Sequence, residues 1–433
     1  MAPSQKIPVI IDTDPGVDDA AAILLALASP EIQILGYVVT FGNTDQEACY
    51  RNIFKLYQAV GRHIEQYPED KHRFPNFDAS AKPFVVKGAS RPWSAETHTA
   101  EYFHGRDGLG DITQRHPDLN VDGLETLSEH PYLRVSRERH VAEVMGALRA
   151  FPPRSITYIG LGPLTSLRHV HHSHATEFQD LIGRVICMGG ALDVPGNTSA
   201  VAEFNTFGDP EALRDLIEPR GNEPRLPIER FLLLPLDITT PHELPFPLYK
   251  KLVDPTFHST EFPSKPEEKP PVHHFTSSFM ERSRELMLQF GKDAMELHDP
   301  VTVWCAMQNP PVVDEVKGGI PQLRPGWVAM RRKFQVECKG EYTRGMLVVD
   351  RRDDQGAYAP GENRAHVQAE LERLKIAHGA FESSALPARV EVEDEAQTES
   401  IGDGDGVAVL TETPGAVALV NLLFQRIWGV EIP

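Results

Sequence analysis

The chain is short of cysteine, has no excess of positive charge and lacks long apolar runs. Only four cysteines, Cys49, Cys187, Cys305 and Cys338, are scattered over 433 residues. They form no metal-ligand spacing and no dense disulfide framework, so a reducing compartment fits best. Lys and Arg number 43 against 62 Asp and Glu, a formal net charge of −19. A nucleic-acid binder normally carries a basic face, so that class is disfavoured. No stretch reaches transmembrane length without charges. The start, MAPSQKIPVIID, has no long apolar core of the kind a secretory signal needs. The expectation is a soluble cytoplasmic protein with neither a membrane nor a nucleic-acid partner. Hydrophobic residues make up 41% and charged residues 24%. That composition allows a sizeable core and does not indicate global disorder.

What is present centres on Ile7–Leu27, IPVIIDTDPGVDDAAAILLAL. An apolar, β-branched run reads as a buried strand despite Pro8. Pro15-Gly16 marks a turn. Ala20–Leu27 is a run of helix formers with no polar residue. Asp12, Asp14, Asp18 and Asp19 crowd the junction. Four carboxylates so close repel one another unless water, protons or a cation absorb the charge. Asp14 falls at the strand's carboxyl end. Asp18 and Asp19 fall at the helix start, where free N–H groups favour anions. Hard oxygen donors suit Ca²⁺ or Mg²⁺. With no Cys or His among them, zinc is disfavoured there. Plain helix capping is the competing reading for any single Asp.

Along the chain, strands and helices alternate. Strands are expected at Ile32–Thr40, Pro83–Gly88, Ser155–Leu161, Leu181–Met188, Phe231–Leu236 and Val407–Leu410. Helices are expected at Glu47–Val60, Arg139–Arg149, after Thr165, after Asp209-Pro210, at Phe279–Leu297, at Val301–Met307 and at Ala416–Ile427. Short links imply parallel pairing and an α/β fold, with an open, mostly parallel central sheet flanked by helices. Ligands of such sheets bind beyond the strands' carboxyl ends. Asn43 sits at one such end. The Leu161 carbonyl sits at another and is a candidate donor for a hard cation. The Gly-rich stretch Arg91–Gly110 reads as a mobile cover, with His104 its notable residue. Asn197, Glu203 and Asn205 can bracket hydroxyl groups. Asp299 reads as a cap before Pro300, compatible with a ligand role. His169, His171, His172 and His174 read as a solvated surface rather than a metal tract. One domain, 1–433, is expected, with insertions at 66–80, 245–271 and 351–406. The second of these reads as an inserted or mobile link rather than core. The third is expected to hold a charged helix near His366–Ile376 and an acidic tail.

These pieces resemble, in order, the inosine–uridine-preferring nucleoside hydrolases. They are DTDPGVDDAAAILLAL, then FGN at Phe41–Asn43, HGRDGLG at His104–Gly110 and GLGPLT at Gly160–Thr165. MGG at Met188–Gly190, GNTSAVAEFN at Gly196–Asn205, HDP at His298–Pro300 and KGEYTRGMLVVD at Lys339–Asp350 follow. The resemblance implies hydrolysis of the N-glycosidic bond of free ribonucleosides, in nucleoside salvage, by water activated by Ca²⁺ and an Asp base. It implies Asp14, Asp19, Asp299 and the Leu161 carbonyl as Ca²⁺ ligands, with Asp14 also the base. Asp18, Asn197, Glu203, Asn205 and Asp299 would contact ribose hydroxyls. Asn43 would belong to the inner hydrogen-bond shell, and His298 would be the leaving-group acid. Met188 and Phe204 would be pocket walls, and His104 part of a lid over the base. A homodimer or homotetramer is compatible with the same resemblance.

Two other readings stand beside it. Haloacid-dehalogenase-type phosphatases also place Asp-x-Asp after the first strand. They normally carry Thr or Val two residues after the second Asp, where this chain has Gly16. A non-catalytic nucleoside or ribose binder would share the fold.

Overall fold

Ile7–Thr13 forms a strand, β1, in which every residue is buried. Val9 and Ile11 enter one hydrophobic core and Ile10 enters another. A strand covered on both faces explains why its sequence is a near-continuous apolar run. Pro8 is tolerated because the neighbour on one side begins pairing only at Val9. The computed structural model describes residues 6–93, 96–123, 129–218, 225–312, 316–317, 320–351 and 406–433.

Eight further strands complete the main sheet: β2 Ile32–Val39, β3 Phe84–Lys87, β4 Arg134–Val135, β5 Ile156–Gly160, β6 Ile182–Met188, β7 Phe231–Leu234, β8 Val328–Arg332 and β9 Val407–Glu412. Their spatial order is β8-β9-β7-β6-β5-β1-β2-β3-β4. All neighbours are parallel except β8 and β9. Eight strands therefore end on one edge, and the acidic turn, Asn43, Leu161 and Met188 all meet there.

Helices cover both faces. On one side are α1 Val17–Leu27, α2 Gln46–Gln66, α6 Pro271–Gln289, α7 His298–Gln308 and α8 Ala416–Leu423. On the other are α3 His140–Ala150, α4 Thr165–Leu181 and α5 Pro210–Ile217. All but one residue of α1 is buried, and it packs against α7. A helix whose body, Ala20–Leu27, is wholly apolar is stable only in such a place. Asp209 caps α5 by accepting from the Ala212 N–H at 3.1 Å, with Pro210 first in the helix, as its sequence predicts.

Several expectations change. Helix α6 runs from Pro271 to Gln289, not from Phe279 to Leu297. Gly291, at φ +78°, follows its end, and Ala294–Glu296 is a strand paired antiparallel with Glu243–Pro245. Helix α7 starts at His298, so Asp299 lies inside the first turn rather than capping it. Pro300 is harmless because first-turn N–H groups have no intrahelical acceptor. Stretch 66–80 sends Phe74 and Phe77 into the main core, each worth about 1.5–3 kcal/mol of apolar burial. Stretch 245–271 is core in part: Phe246, Tyr249 and Phe257 are buried there. The histidine tract lies on α4, where His171 is buried against Phe178 and His172 is exposed. The helix expected near His366–Ile376 and the acidic tail lie outside the described residues. No described helix is long and apolar enough to cross a membrane.

Candidate active site

The carboxyl ends of β1, β2 and β5 carry a floor of buried polar groups. Asp14 Oδ2 accepts the Asn43 backbone N–H at 2.7 Å. Asn43 Nδ2 donates to the Asp14 carbonyl at 3.1 Å and to Asp19 Oδ2 at 2.8 Å. Asp19 also accepts from Thr13 Oγ1 at 2.5 Å and from the Gly16 N–H at 3.0 Å. One asparagine thus fixes two carboxylates, and Asp19 caps α1 while facing the site.

Two glycines let Asp14 lie so deep. A Cβ on Gly42 would stand 1.9 Å from Asp14 Oδ2, and one on Gly162 would stand 2.4 Å from Oδ1. Both residues belong to short motifs, FGN and GLGPLT. Their smallness is what brings backbone up against the carboxylate.

Asp18, Asp19 and Asp299 each offer an oxygen, and the three lie within 4.8 Å of one another. Asp18, part of the acidic cluster in the sequence but implied by the resemblance only as a sugar-hydroxyl contact, belongs to this group. Burial and mutual repulsion raise the acids: Asp14 and Asp299 go well above the carboxylate range, and Asp18 to about 7. Asp14 Oδ1 is buried and has no hydrogen-bond partner. A buried anionic oxygen without a partner is costly unless a proton or cation meets it. An all-oxygen donor set of this kind fits a hard divalent cation.

The Leu161 carbonyl accepts Asn205 Nδ2 at 2.6 Å. A carbonyl has two lone pairs, so this bond leaves one for a cation. Glu203 caps the short helix Phe204–Gly208, accepting the N–H groups of Asn205 at 2.7 Å, Thr206 at 3.0 Å and Gly190 at 2.8 Å. Asn197 is exposed, and its Oδ1 accepts the Phe204 N–H at 2.9 Å. Much of the polarity that the sequence suggests for hydroxyl binding thus also holds the loop together.

Above this floor lies a cavity of about 310 Å³. Asp18, Asn43, Leu161, Glu203, Asn205 and Asp299 line its lower part. Met188, Phe204, Tyr102, Phe103, Met287, Phe290 and Met295 make it apolar elsewhere. His104 lines it too, but as a fixed group. Its Nδ1 accepts the Val17 N–H at 3.1 Å, and burial lowers its pKa to about 3. The segment after it is stapled rather than loose. Asp107 accepts the N–H groups of Leu109, Asp111 and Thr113.

His298 stands at the cavity edge. Its Nδ1 is 2.8 Å from Thr239 Oγ1, and its Nε2 is 3.1 Å from Glu296 Oε2. Burial alone would lower its pKa. The Glu296 hydrogen bond and the charges of Asp18, Glu296 and Glu203 outweigh that and raise it. Glu296 is itself held down at about 2. The sequence reading missed Glu296, Thr239, Met287 and Phe290. A helix drawn through 279–297 hid three of them, and Gly291 as a helix stop was the available signal. Asp12, the fourth acid of the cluster, faces away toward β5. It accepts Tyr158 O–H at 2.7 Å and is raised by burial to about 8.

Comparison with known proteins fits this arrangement. The sequence pattern of the family "Inosine-uridine preferring nucleoside hydrolase" matches residues 9–378. The chain belongs to that family. "Uridine nucleosidase 1" of Arabidopsis thaliana is 32% identical over 205 residues, covering 47% of this chain and 51% of the plant protein. The match thus spans about half that relative's length. "Pyrimidine-specific ribonucleoside hydrolase RihA" of Salmonella enteritidis PT4 is 27% identical over 350 residues, 79% of this chain and 88% of the bacterial protein. The solved structure "Purine-Preferring Ribonucleoside Hydrolase from Gardnerella vaginalis" superposes with a TM-score of 0.60 at 19% identity, over 98% of each chain. At that identity the likeness bears on fold alone. The family's fold is therefore what the alternating sequence elements predicted.

Proposed function

We propose that the protein hydrolyses the N-glycosidic bond of free ribonucleosides to ribose and base. The observation that carries this reading is the buried, unpartnered Asp14 Oδ1, held by Asn43 behind a cavity of nucleoside size whose lining includes Asn43, Asp18 and Asp299. Asp14, Asp18, Asp19, Asp299 and the Leu161 carbonyl would hold Ca²⁺. When bound, that ion supplies acidification and orientation of the attacking water.

The chain's own groups do the rest. Asp14 takes the water's proton as the bond to the base breaks. The anionic floor favours the positive charge that develops on the sugar in an oxocarbenium-like transition state. The same charge disfavours a phosphate, so a free nucleoside fits better than a nucleotide. Asn197, Glu203 and Asn205 hold the sugar hydroxyls. The apolar wall of Met188, Phe204 and Phe290 holds the base. His298 donates a proton to the departing base, and Glu296 keeps that proton available near neutral pH.

A reducing, cytoplasmic setting and a role in nucleoside salvage complete the proposal. The buried, unbridged state of all four cysteines supports the reducing setting. The test is free ribose measured across a panel of purine and pyrimidine nucleosides. Ribose release by the wild type and its loss in Asp14→Asn are expected. Tight riboside binding with no ribose released would mean a non-catalytic binder, and phosphate release from phosphomonoesters would revive phosphatase chemistry.

A further inference from the structure

A second group of metal-type ligands lies on the flank of α6, far from the carboxylate floor. His116 and Asp118 sit at the ends of a short turn, His116-Pro117-Asp118, and His274 lies in the first turn of α6. One ligand atom from each lies within 4.8 Å of the others. His274 and the cavity residue Met287 are thirteen positions apart on the same helix, so the two places are separated by roughly 20 Å along its axis.

We propose that His116, Asp118 and His274 bind a transition-metal ion of the Zn²⁺ class. The donor set is the first argument. Two imidazoles and one carboxylate suit Zn²⁺, whereas the floor offers only hard oxygens. The second argument is how the ligands are held. Asp118 Oδ2 is 3.0 Å from His274 Nε2, while Ser264 Oγ is 2.9 Å from His274 Nδ1. Glu281 Oε2 is 3.0 Å from His116 Nε2, and Arg115 also contacts Glu281. Glu281 Oε1 in turn accepts the Ser264 N–H at 2.6 Å. Each imidazole thus has one nitrogen anchored by an outer group, the arrangement that orients metal-binding histidines.

The third argument is access. His116 and His274 are 3% and 2% exposed, but Asp118 is 38% exposed. Asp118 and His274 open onto a cleft of about 460 Å³ also lined by Arg62 and Pro266. An ion can enter there, and water can take a fourth position. The alternative is a tether formed by a charged His274–Asp118 pair. That pair alone does not account for His116, whose ring centre lies 5.4 Å from that of His274. A bound ion would clamp the segment after His104 to α6, which reaches the cavity through Met287.

The test uses the full chain, stripped with chelator and then saturated with Ca²⁺ to occupy the floor. Zn²⁺ is titrated in by calorimetry, and Co²⁺ by visible absorption. The expected result is one equivalent of Zn²⁺, a rise of a few degrees in Tm and the strong absorption of four-coordinate Co²⁺. All three should be lost in His274→Ala and in Asp118→Asn. Asp118 is exposed enough that the second variant folds whatever happens to the first. No stoichiometric uptake would overturn the proposal. So would uptake unchanged in Asp118→Asn, or uptake that disappears instead in Asp299→Asn.

Discussion

The floor and the rim of the cavity are built by opposite means. The floor is buried and charged, and strand ends and glycine-flanked turns set it in place. Asp14, Asp19 and Asn43 each have more than one hydrogen bond or steric constraint fixing them. The rim is apolar and open. Tyr102 is 66% and Phe290 61% exposed, and they come from a short helix and a helix terminus. A rigid charged floor suits the bond that is always broken, while an open apolar rim can be altered without disturbing it. His298 stands between the two, with Glu296 on the rim side and Asp18 on the floor side.

The largest effect should come from the floor. Asp14→Asn is expected to lower ribose release by at least about 10³-fold, since it removes both a base and a ligand. Circular dichroism should show the fold intact, and comparable turnover would put the floor's role in doubt. His298→Ala should slow nucleosides by roughly 10²–10⁴-fold. It should slow p-nitrophenyl riboside much less, because that leaving group needs no proton. Equal slowing of both would move His298 out of the leaving-group role.

Smaller effects sharpen the boundary. Glu296→Gln removes the hydrogen bond that raises the His298 pKa. The acid should then lose its proton at lower pH, so the alkaline limb of kcat should shift downward, with a loss of roughly tenfold near pH 8. An unmoved limb would show that Glu296 does not tune the acid. Phe290→Ala, on the rim, should raise KM several-fold and leave kcat nearly unchanged.

The floor can also be read through stability. Its carboxyl groups have folded pKa values above their unfolded ones, so without metal the native state binds extra protons. Their contribution is complete below about pH 4, the unfolded value, and is lost as pH rises toward the Asp18 value of about 7. Metal-free protein should therefore lose Tm across that window, and added Ca²⁺ should flatten the slope.

The same division explains what the sequence made legible. Asp14, Asp19, Asn43 and Leu161 stand next to apolar runs and turn residues, so local pattern alone sets Asp14, Asn43 and Leu161 beyond strand ends and Asp19 at the start of α1. The alternating elements likewise made the parallel sheet readable. Glu296, Thr239, Met287 and Phe290 meet only because α6 stops at Gly291 and a two-stranded ribbon brings the chain back to His298. That closure depends on tertiary packing and leaves no periodic signal. The burial of Phe74 and Phe257 was hidden similarly, since isolated aromatics in polar stretches carry no helical or strand period.

The central claim is that the buried acids at the sheet's edge hold a divalent cation required for chemistry. The decisive measurement is Ca²⁺ titrated into chelator-stripped protein, with heat of binding and ribose release followed on the same sample. The account predicts one tightly bound Ca²⁺ and activity that rises in proportion to occupancy, both abolished by Asp14→Asn. Full ribose release from protein shown to be free of metal would contradict it.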